Sequence, residues 1–203
     1  MPSPRLTAFT LLELLVAVSI IGLLASLFFP VFGRVYDQLN TTKCVHNMKQ
    51  VSVAIKSAAI DNSGDYPMIE NDPANPIHDA ADGKIWTLPE LVQHYGATVA
   101  ILRCPADEAA RLCQPKGAPG TVSYFKAKGS SYEWFPMFEG DSVNAPRIVS
   151  PRGVRSIPAG RARLLLDYAE SGEGPHKREL TGSTMHVAYA DGSVRAVLLA
   201  KQP

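Results

Sequence analysis

"FTLLELLVAVSIIGLLASLFFPVF", residues 9–32, is apolar almost throughout yet carries one carboxylate, Glu13, on its fifth residue. As a helix rising 1.5 Å per residue the stretch extends roughly 36 Å, against a bilayer hydrocarbon core of about 30 Å. It therefore predicts a transmembrane helix. An ionised side chain inside such a segment costs about 2.5–3.5 kcal/mol on insertion scales and calls for a partner. No Lys, Arg or His occurs between residues 9 and 33. The partner is expected from outside the segment's own sequence, or from processing of the chain.

The preceding residues, MPSPRLTA (1–8), are short and polar, with Arg5 their only charged side chain. A secretory signal peptide has an apolar core of roughly 7–15 residues ending at a small-residue cleavage site. This core is longer, and an acid stands near its start. A plain membrane anchor matches the length but leaves Glu13 without a role. Cleavage between Ala8 and Phe9 supplies one, because it frees an α-amine on Phe9 about one helical turn from Glu13. In low dielectric the carboxylate pairs strongly with that amine or with the amine of a neighbouring identical helix. A subunit out of register would strand both charges, so Glu13 is expected to set register, an attested use of buried polar groups between helices. Gly22 suits close helix approach, and Pro30 is expected to kink the helix or free a carbonyl.

On Phe9, Thr10, Leu11, Leu12 and Glu13, with Gly22 and Pro30 further on, this segment resembles the class III signal and N-terminal helix of type IV pilins and type II secretion pseudopilins. The resemblance implies that a prepilin peptidase removes residues 1–8 and methylates Phe9. Ala8 stands where that family usually has Gly before the cut. It further implies identical or homologous pilin subunits and an inner-membrane assembly platform as partners. The implied location is the bacterial inner membrane, single-pass with the head in the periplasm, and then a periplasmic or extracellular filament.

From residue 31 onward the positions Val31, Val35, Leu39, Thr42, Val45, Met48, Val51, Ile55 and Ala58 recur every three or four residues, a helical stripe. Arg34, Asp37, Lys43, Asn47 and Lys49 fall on the opposite, exposed face. A continuous helix over 9–60 would be roughly 78 Å long. DNSGDYP (61–67) stops it with turn formers, Gly64 acting as the left-handed cap. The Cys44-x-x-Asn47-x-Lys49-Gln50 motif and the Asp-x-x-Gly-x-Tyr-Pro ending also resemble a pseudopilin-like subset.

The chain has 203 residues and a net charge of +1, with Lys and Arg dispersed, which excludes the basic stripe of a nucleic-acid binder. Its 15 Gly and 16 Pro concentrate after residue 60, so a turn-rich, sheet-containing head is expected over 61–203. Four segments follow: a leader over 1–8, an assembly helix over 9–32, its amphipathic continuation over 33–60, and the head. The fold class expected is α+β, a long N-terminal helix on a small C-terminal antiparallel sheet, pilin-like.

Within the head, WTLPELVQHYG (86–96) predicts a short helix opened by Thr87 with Pro89 in its first turn. TVSYF (121–125), SSYEWFPMF (130–138) and ARLLLDYAE (162–170) predict strands. MHVAYADGSVRAVLLA (185–200) predicts a hairpin with Asp191-Gly192 as a two-residue type I′ turn. In that register Tyr189 faces Val194, Val187 faces Ala196 and Met185 faces Leu198, an apolar face set against the long helix.

Cys44, Cys104 and Cys113 allow one bridge with a thiol left over. From the residues alone, Cys44–Cys104 and Cys104–Cys113 both stand; resemblance to the pseudopilin-like subset, through Cys104-Pro-x-Asp107 as well, favours Cys44–Cys104. Zinc ligation by Cys104, Cys113 and a histidine lacks paired C-x-x-C spacing. Major pseudopilins bind calcium in a C-terminal loop, and that resemblance makes Asp167 and Asp191, with Glu170 and Glu173, the oxygen donors to consider. No spacing specifies a cage, and no other cofactor is expected.

SYFK (123–126) matches Ser-x-x-Lys without the Ser-Asp-Asn or Lys-Thr-Gly that accompany it in hydrolases. His186 near Asp191 reads as a surface histidine beside a turn aspartate, with a hydrolase pair as its rival. Glu90 and Asp107 read as solvated charges. The chain is therefore not read as an enzyme. The expected function is a structural subunit of a type IV pilus-like filament or a secretion pseudopilus. The alternative is a membrane-anchored periplasmic or surface binding protein that uses a pilin-like signal for export.

Overall fold

The computed structural model describes residues 10–71, 84–107, 123–135, 140–150, 153–167, 176–178 and 182–198. Ala8, Phe9, Cys113, Glu170 and Glu173 lie outside them. The protein is α+β: the described residues form one long N-terminal helix, two short ones, and a small antiparallel sheet. Helix α1 spans Leu11–Asp61 and runs through Gly22 and Pro30 as one helix. The chain divides into two compact units, Met1–Leu39 and Asn40–Pro203, so the second part of α1 belongs with the head.

In the first unit the described large apolar side chains are exposed, from Leu11 at 86% to Phe32 at 66%. Among the described residues no helix is long and apolar enough to cross a membrane. The membrane span expected over 9–32 is thus not recovered on the described residues.

In the second unit α1 buries Cys44, Met48, Val51, Ile55 and Ala58 in the main core. Of the predicted stripe, Met48, Val51, Ile55 and Ala58 are buried, whereas Thr42 is exposed and Val45 half-buried. Val35 and Leu39, in the first unit, are about half exposed, at 47% and 53%. The helix ends in a left-handed turn in which Ser63 (φ 60°) and Gly64 (φ 94°) share the conformation assigned in prospect to Gly64 alone. The Gly64 amide donates to the Ala59 carbonyl at 2.8 Å, and the Asn62 amide to Ala58 at 3.0 Å, so carbonyls of the last turn are satisfied.

The chain then runs beside residues 140–143, with Asp65 bridged to Ser142 and the Tyr66 amide donating to the Asp141 carbonyl at 2.9 Å. This turns the Tyr66 ring onto Trp134, 5.8 Å between centroids. The Tyr66 hydroxyl is buried and has no hydrogen-bond partner among the described residues. Burial pushes its pKa up to about 12. An acid whose folded pKa is raised contributes stability that is complete below its unfolded value near 10 and is lost as pH rises through the folded one. Stability is therefore expected to fall between about pH 10 and pH 12. Tyr66→Phe should reduce that fall and stabilise the head by about 1 kcal/mol at neutral pH, since it removes an unsatisfied buried hydroxyl. Urea unfolding at pH 7 and pH 11 reads both effects; an unchanged alkaline loss in the variant would contradict them.

Strand β1 (Met68–Glu70) pairs in parallel with β2 (Ile85–Thr87). Helix α2 (Leu88–His94) follows directly, opened as predicted by Thr87 in a capping box with Glu90, with Pro89 in the first turn. Glu90 is therefore a cap rather than a merely solvated charge, and the hydrogen bonds from Thr87 hold its carboxyl below the usual range. A 3-10 turn, Val99–Leu102, leads to Cys104.

Of the strand expected over 121–125, Tyr124 and Phe125 instead open helix α3 (Tyr124–Lys128), capped by Ser123; residues 121 and 122 lie outside the described ones. The Ser123 hydroxyl accepts from the Lys126 amide at 3.3 Å, and Asp107 accepts from the Tyr124 and Phe125 amides at 3.0 and 2.9 Å. Side-chain acceptors thus take first-turn donors that a strand would have sent to a neighbour.

Strands β3 (Tyr132–Trp134), β4 (Arg147–Ser150), β5 (Gly153–Ser156), β6 (Arg163–Asp167), β7 (His176–Arg178), β8 (Gly182–Tyr189) and β9 (Val194–Leu198) complete the head. β4 and β5 form a separate hairpin, held at its start by Asp141, which accepts from the Arg147 guanidinium and amide. The main sheet has the order β3-β6-β8-β7, with β9 also paired to β8, and every pairing is antiparallel.

The β8–β9 hairpin lies where expected, but its register differs by one residue. Ala188 faces Val194, Val187 faces Arg195 and Met185 faces Val197. The Tyr189 amide donates to Ser193 and the Gly192 amide to Tyr189, which makes a three-residue loop. Only Gly192 (φ 87°) is left-handed, whereas a type I′ turn demands positive φ at Asp191 as well. Asp191 keeps negative φ and accepts from the Ser193 amide and hydroxyl at 2.8 and 2.7 Å. The one-residue change exchanges the faces. Ala188 and Val194 join the core with α1, whereas Met185, Val187 and Tyr189 form a separate cluster with Leu166 and Val197.

Candidate functional site

Two regions carry the residues singled out by sequence. The first is the start of α1. Glu13 Oε2 accepts from the Thr10 amide and the Thr10 hydroxyl, both at 2.9 Å, and the Glu13 amide donates back to Thr10 Oγ1 at 3.3 Å. This is a reciprocal cap at the helix start, legible in the Thr-x-x-Glu spacing of residues 10–13. The acid thus has a hydrogen-bond partner inside its own segment, one not singled out from the sequence. Thr10 supplies hydrogen bonds and no positive charge, so the cap orients the carboxylate without neutralising it. At Gly22 an added Cβ would meet nothing within 4 Å, so this face of the helix is open to a close neighbour.

The second region is a buried polar centre beneath α1 in the head. Cys44 on α1 and Cys104 after the 3-10 turn are joined by a disulfide across 60 residues, and both are fully buried. The Tyr132 hydroxyl lies 3.4 Å from Cys44 Sγ. Burial, and next the negative charge of Asp167, hold the Tyr132 phenol well above its ordinary range. Asn47 Nδ2 donates to the Arg103 carbonyl at 3.0 Å, so this residue ties α1 to the Cys104 turn instead of standing on a free helix face. The Cys104 amide donates to Ser131 Oγ at 3.0 Å, and that hydroxyl donates to Asp107 at 2.6 Å. Asp107, read in sequence as a solvated charge, is 4% exposed. It organises the turn after the disulfide and the start of α3.

Asp167, at the end of β6, is fully buried, and its Oδ2 accepts from the His186 amide at 2.9 Å. His186 Nδ1 lies 3.1 Å from the same oxygen. His186 is accordingly buried, at 4% exposure, and its carboxylate partner is Asp167 rather than Asp191. Both corrections have one cause: β6 pairs with β8 through Leu165–Ala188 and Leu166–Val187, which places Asp167 beside His186. Among the described residues, Cys44, Cys104 and Asp167 form the one group of three metal-ligating side chains, their donor atoms all within 4.8 Å of one another.

Asp191 is not in that group. Its carboxylate is held below the usual range first by the Ser193 hydrogen bonds and then by Arg195 and Lys56. Arg195 Nη2 is 3.4 Å away. Its carboxylate is engaged in its own turn, and Glu170 and Glu173, the other calcium donors considered, lie outside the described residues. The packing of this turn is close: a Cβ at Gly160 would stand 2.9 Å from Asp191 Oδ2.

A cleft of about 360 Å³ lies at the end of α1, lined by Asp61, Tyr66, Lys84, Trp86 and Tyr95 among others. Lys84 Nζ sits 3.6 Å over the Trp86 ring, and the Tyr95 hydroxyl donates to Asp61 at 2.9 Å. No protein-family model, curated protein or solved structure matches this chain.

Proposed function

We propose that the chain is a structural subunit of a type IV pilus-like filament or a type II secretion pseudopilus. It is held in the inner membrane by residues 9–32, trimmed after Ala8 by a prepilin peptidase, and polymerised through its N-terminal helix. The observation that carries this reading is the bare apolar face of α1. The described large apolar side chains from Leu11 to Phe32 are exposed, and Glu13 is the one acid in that stretch. A contiguous apolar surface of that extent calls for a cover. Lipid provides it before assembly, and the helices of other copies provide it afterwards. The contacts are head-to-tail and non-closing, which yields a fibre rather than a closed ring.

Glu13 adds direction to otherwise uniform apolar packing. Thr10 already holds its carboxylate, so a positive terminus on an adjoining copy has an oriented partner, and a misplaced copy leaves both charges unpaired. The disulfide, the Asn47 contact and the core residues of α1 clamp the second part of the helix into the head, so pulling on the helix carries the head with it.

The test is photo-crosslinking in membranes, with benzoylphenylalanine in place of Val18, an exposed position. A ladder of dimers, trimers and higher species is expected. A band at monomer mass alone would support the other reading, a membrane-anchored binding protein, for which the cleft beside Trp86 is the favouring observation.

A further inference from the structure

We propose that the reduced protein binds one zinc ion through Cys44, Cys104 and Asp167, with His186 as a positioning residue for the carboxylate. The three ligands come from α1, the turn after Val99–Leu102, and the end of β6. No C-x-x-C spacing announces such a site, because it is assembled entirely by the fold. The donor atoms lie within 4.8 Å of one another. A tetrahedral site with Zn–S near 2.3 Å and Zn–O near 2.0–2.2 Å separates its donors by roughly 3.5–3.8 Å. In the oxidised chain the two sulfurs are bonded to each other, so reduction must let them part to that separation while Asp167 stays within reach.

Two sulfurs select a thiophilic ion over calcium or magnesium. Asp167 is held through Oδ2 by the His186 amide and ring, the kind of outer contact that fixes a ligating carboxylate. Cys104 is held by its amide bond to Ser131. All three ligands are fully buried, so the ion is enclosed, and any fourth ligand is a water or the Tyr132 hydroxyl near Cys44.

The redox step balances as follows. A dithiol reductant passes two electrons to the Cys44–Cys104 bond, which breaks, and becomes a disulfide itself. Two protons complete the Cys44 and Cys104 thiols. Zinc then displaces both protons to solvent and is bound by two thiolates and the Asp167 carboxylate. Metal and disulfide are thus alternative clamps joining α1 to the same turn, one for the reduced chain and one for the oxidised chain. This holds whether or not the subunit polymerises.

The experiment uses the full chain in detergent, carrying Cys113→Ser so that the third thiol is removed. It is reduced with a dithiol, desalted without oxygen and titrated with cobalt(II). One equivalent is expected to bind, giving tetrahedral d–d bands and thiolate-to-cobalt charge transfer that zinc then bleaches. The oxidised chain should show neither. Asp167→Asn should lower the affinity at least tenfold and shift the d–d bands. His186→Gln should lower it about tenfold while keeping the wild-type spectrum. Absence of cobalt uptake by the reduced chain, or an affinity untouched by Asp167→Asn, would overturn the proposal. Should the Asn variant fail to fold, the unfolding midpoint of the reduced parent chain decides. It should rise with zinc concentration, and a flat dependence would be equally fatal.

Discussion

Glu13→Gln is expected to leave the protein in the membrane and remove it from the filament. The substitution is chosen because it separates two roles. A Gln at this position still accepts from Thr10 and keeps the helix cap, since Glu and Gln both serve there. It carries no charge to meet a positive terminus. Stranding one member of a buried ion pair costs about 3–5 kcal/mol, so incorporation should fall on the order of a hundredfold or more at equal expression. Sheared-fibre yield against membrane-fraction content measures this. Glu13→Ala removes cap and charge together and should do no better. Normal fibre yield from the Gln variant would show that capping is the whole purpose of the acid, and the register argument would fail.

The second large effect concerns the head. Replacing both Cys44 and Cys104 with Ala should cost about 4 kcal/mol of stability, the loop-entropy value for a cross-link across 60 residues. For a head of this size that corresponds to a melting temperature lower by roughly 10 °C. Urea denaturation of the oxidised parent and the double variant gives the number directly. A loss under 1 kcal/mol would mean that core packing on α1 holds the helix without the bridge. It would also remove the reason to see helix and head as one mechanical piece.

Much of this architecture was legible from local chemistry. The end of α1 followed from turn formers after an apolar stripe, and α2 from Thr87 and Pro89 standing before apolar residues at helical spacing. The β8–β9 hairpin followed from Asp-Gly between two apolar runs. Its register did not, because that depends on whether Asp191 itself takes positive φ, and the Ser193 hydrogen bonds keep it negative. Tyr124 and Phe125 have strand-forming side chains, yet Asp107, distant in sequence, accepts their amides and starts a helix.

The buried polar centre was the least legible part. His186 and Asp191 are close along the chain and suggested a pair. The partner is Asp167, delivered by a neighbouring strand. Asn47 looked like an outward helix residue until the Cys104 turn was placed beside it. At the N-terminus the Thr10–Glu13 cap was written in the spacing. An acid in an apolar run demands a counter-charge, and that demand hid the nearer hydrogen-bond partner.

The filament reading rests on a positive terminus created beside Glu13, so the mass of the N-terminal peptide of the membrane-extracted protein is its most direct test. The expected result is a chain beginning at Phe9 with one methyl group on its amine and no peptide containing residues 1–8. A chain that still begins at Met1, or one cut within the apolar helix near Ser26, would contradict it, since neither places a cation one turn from the carboxylate.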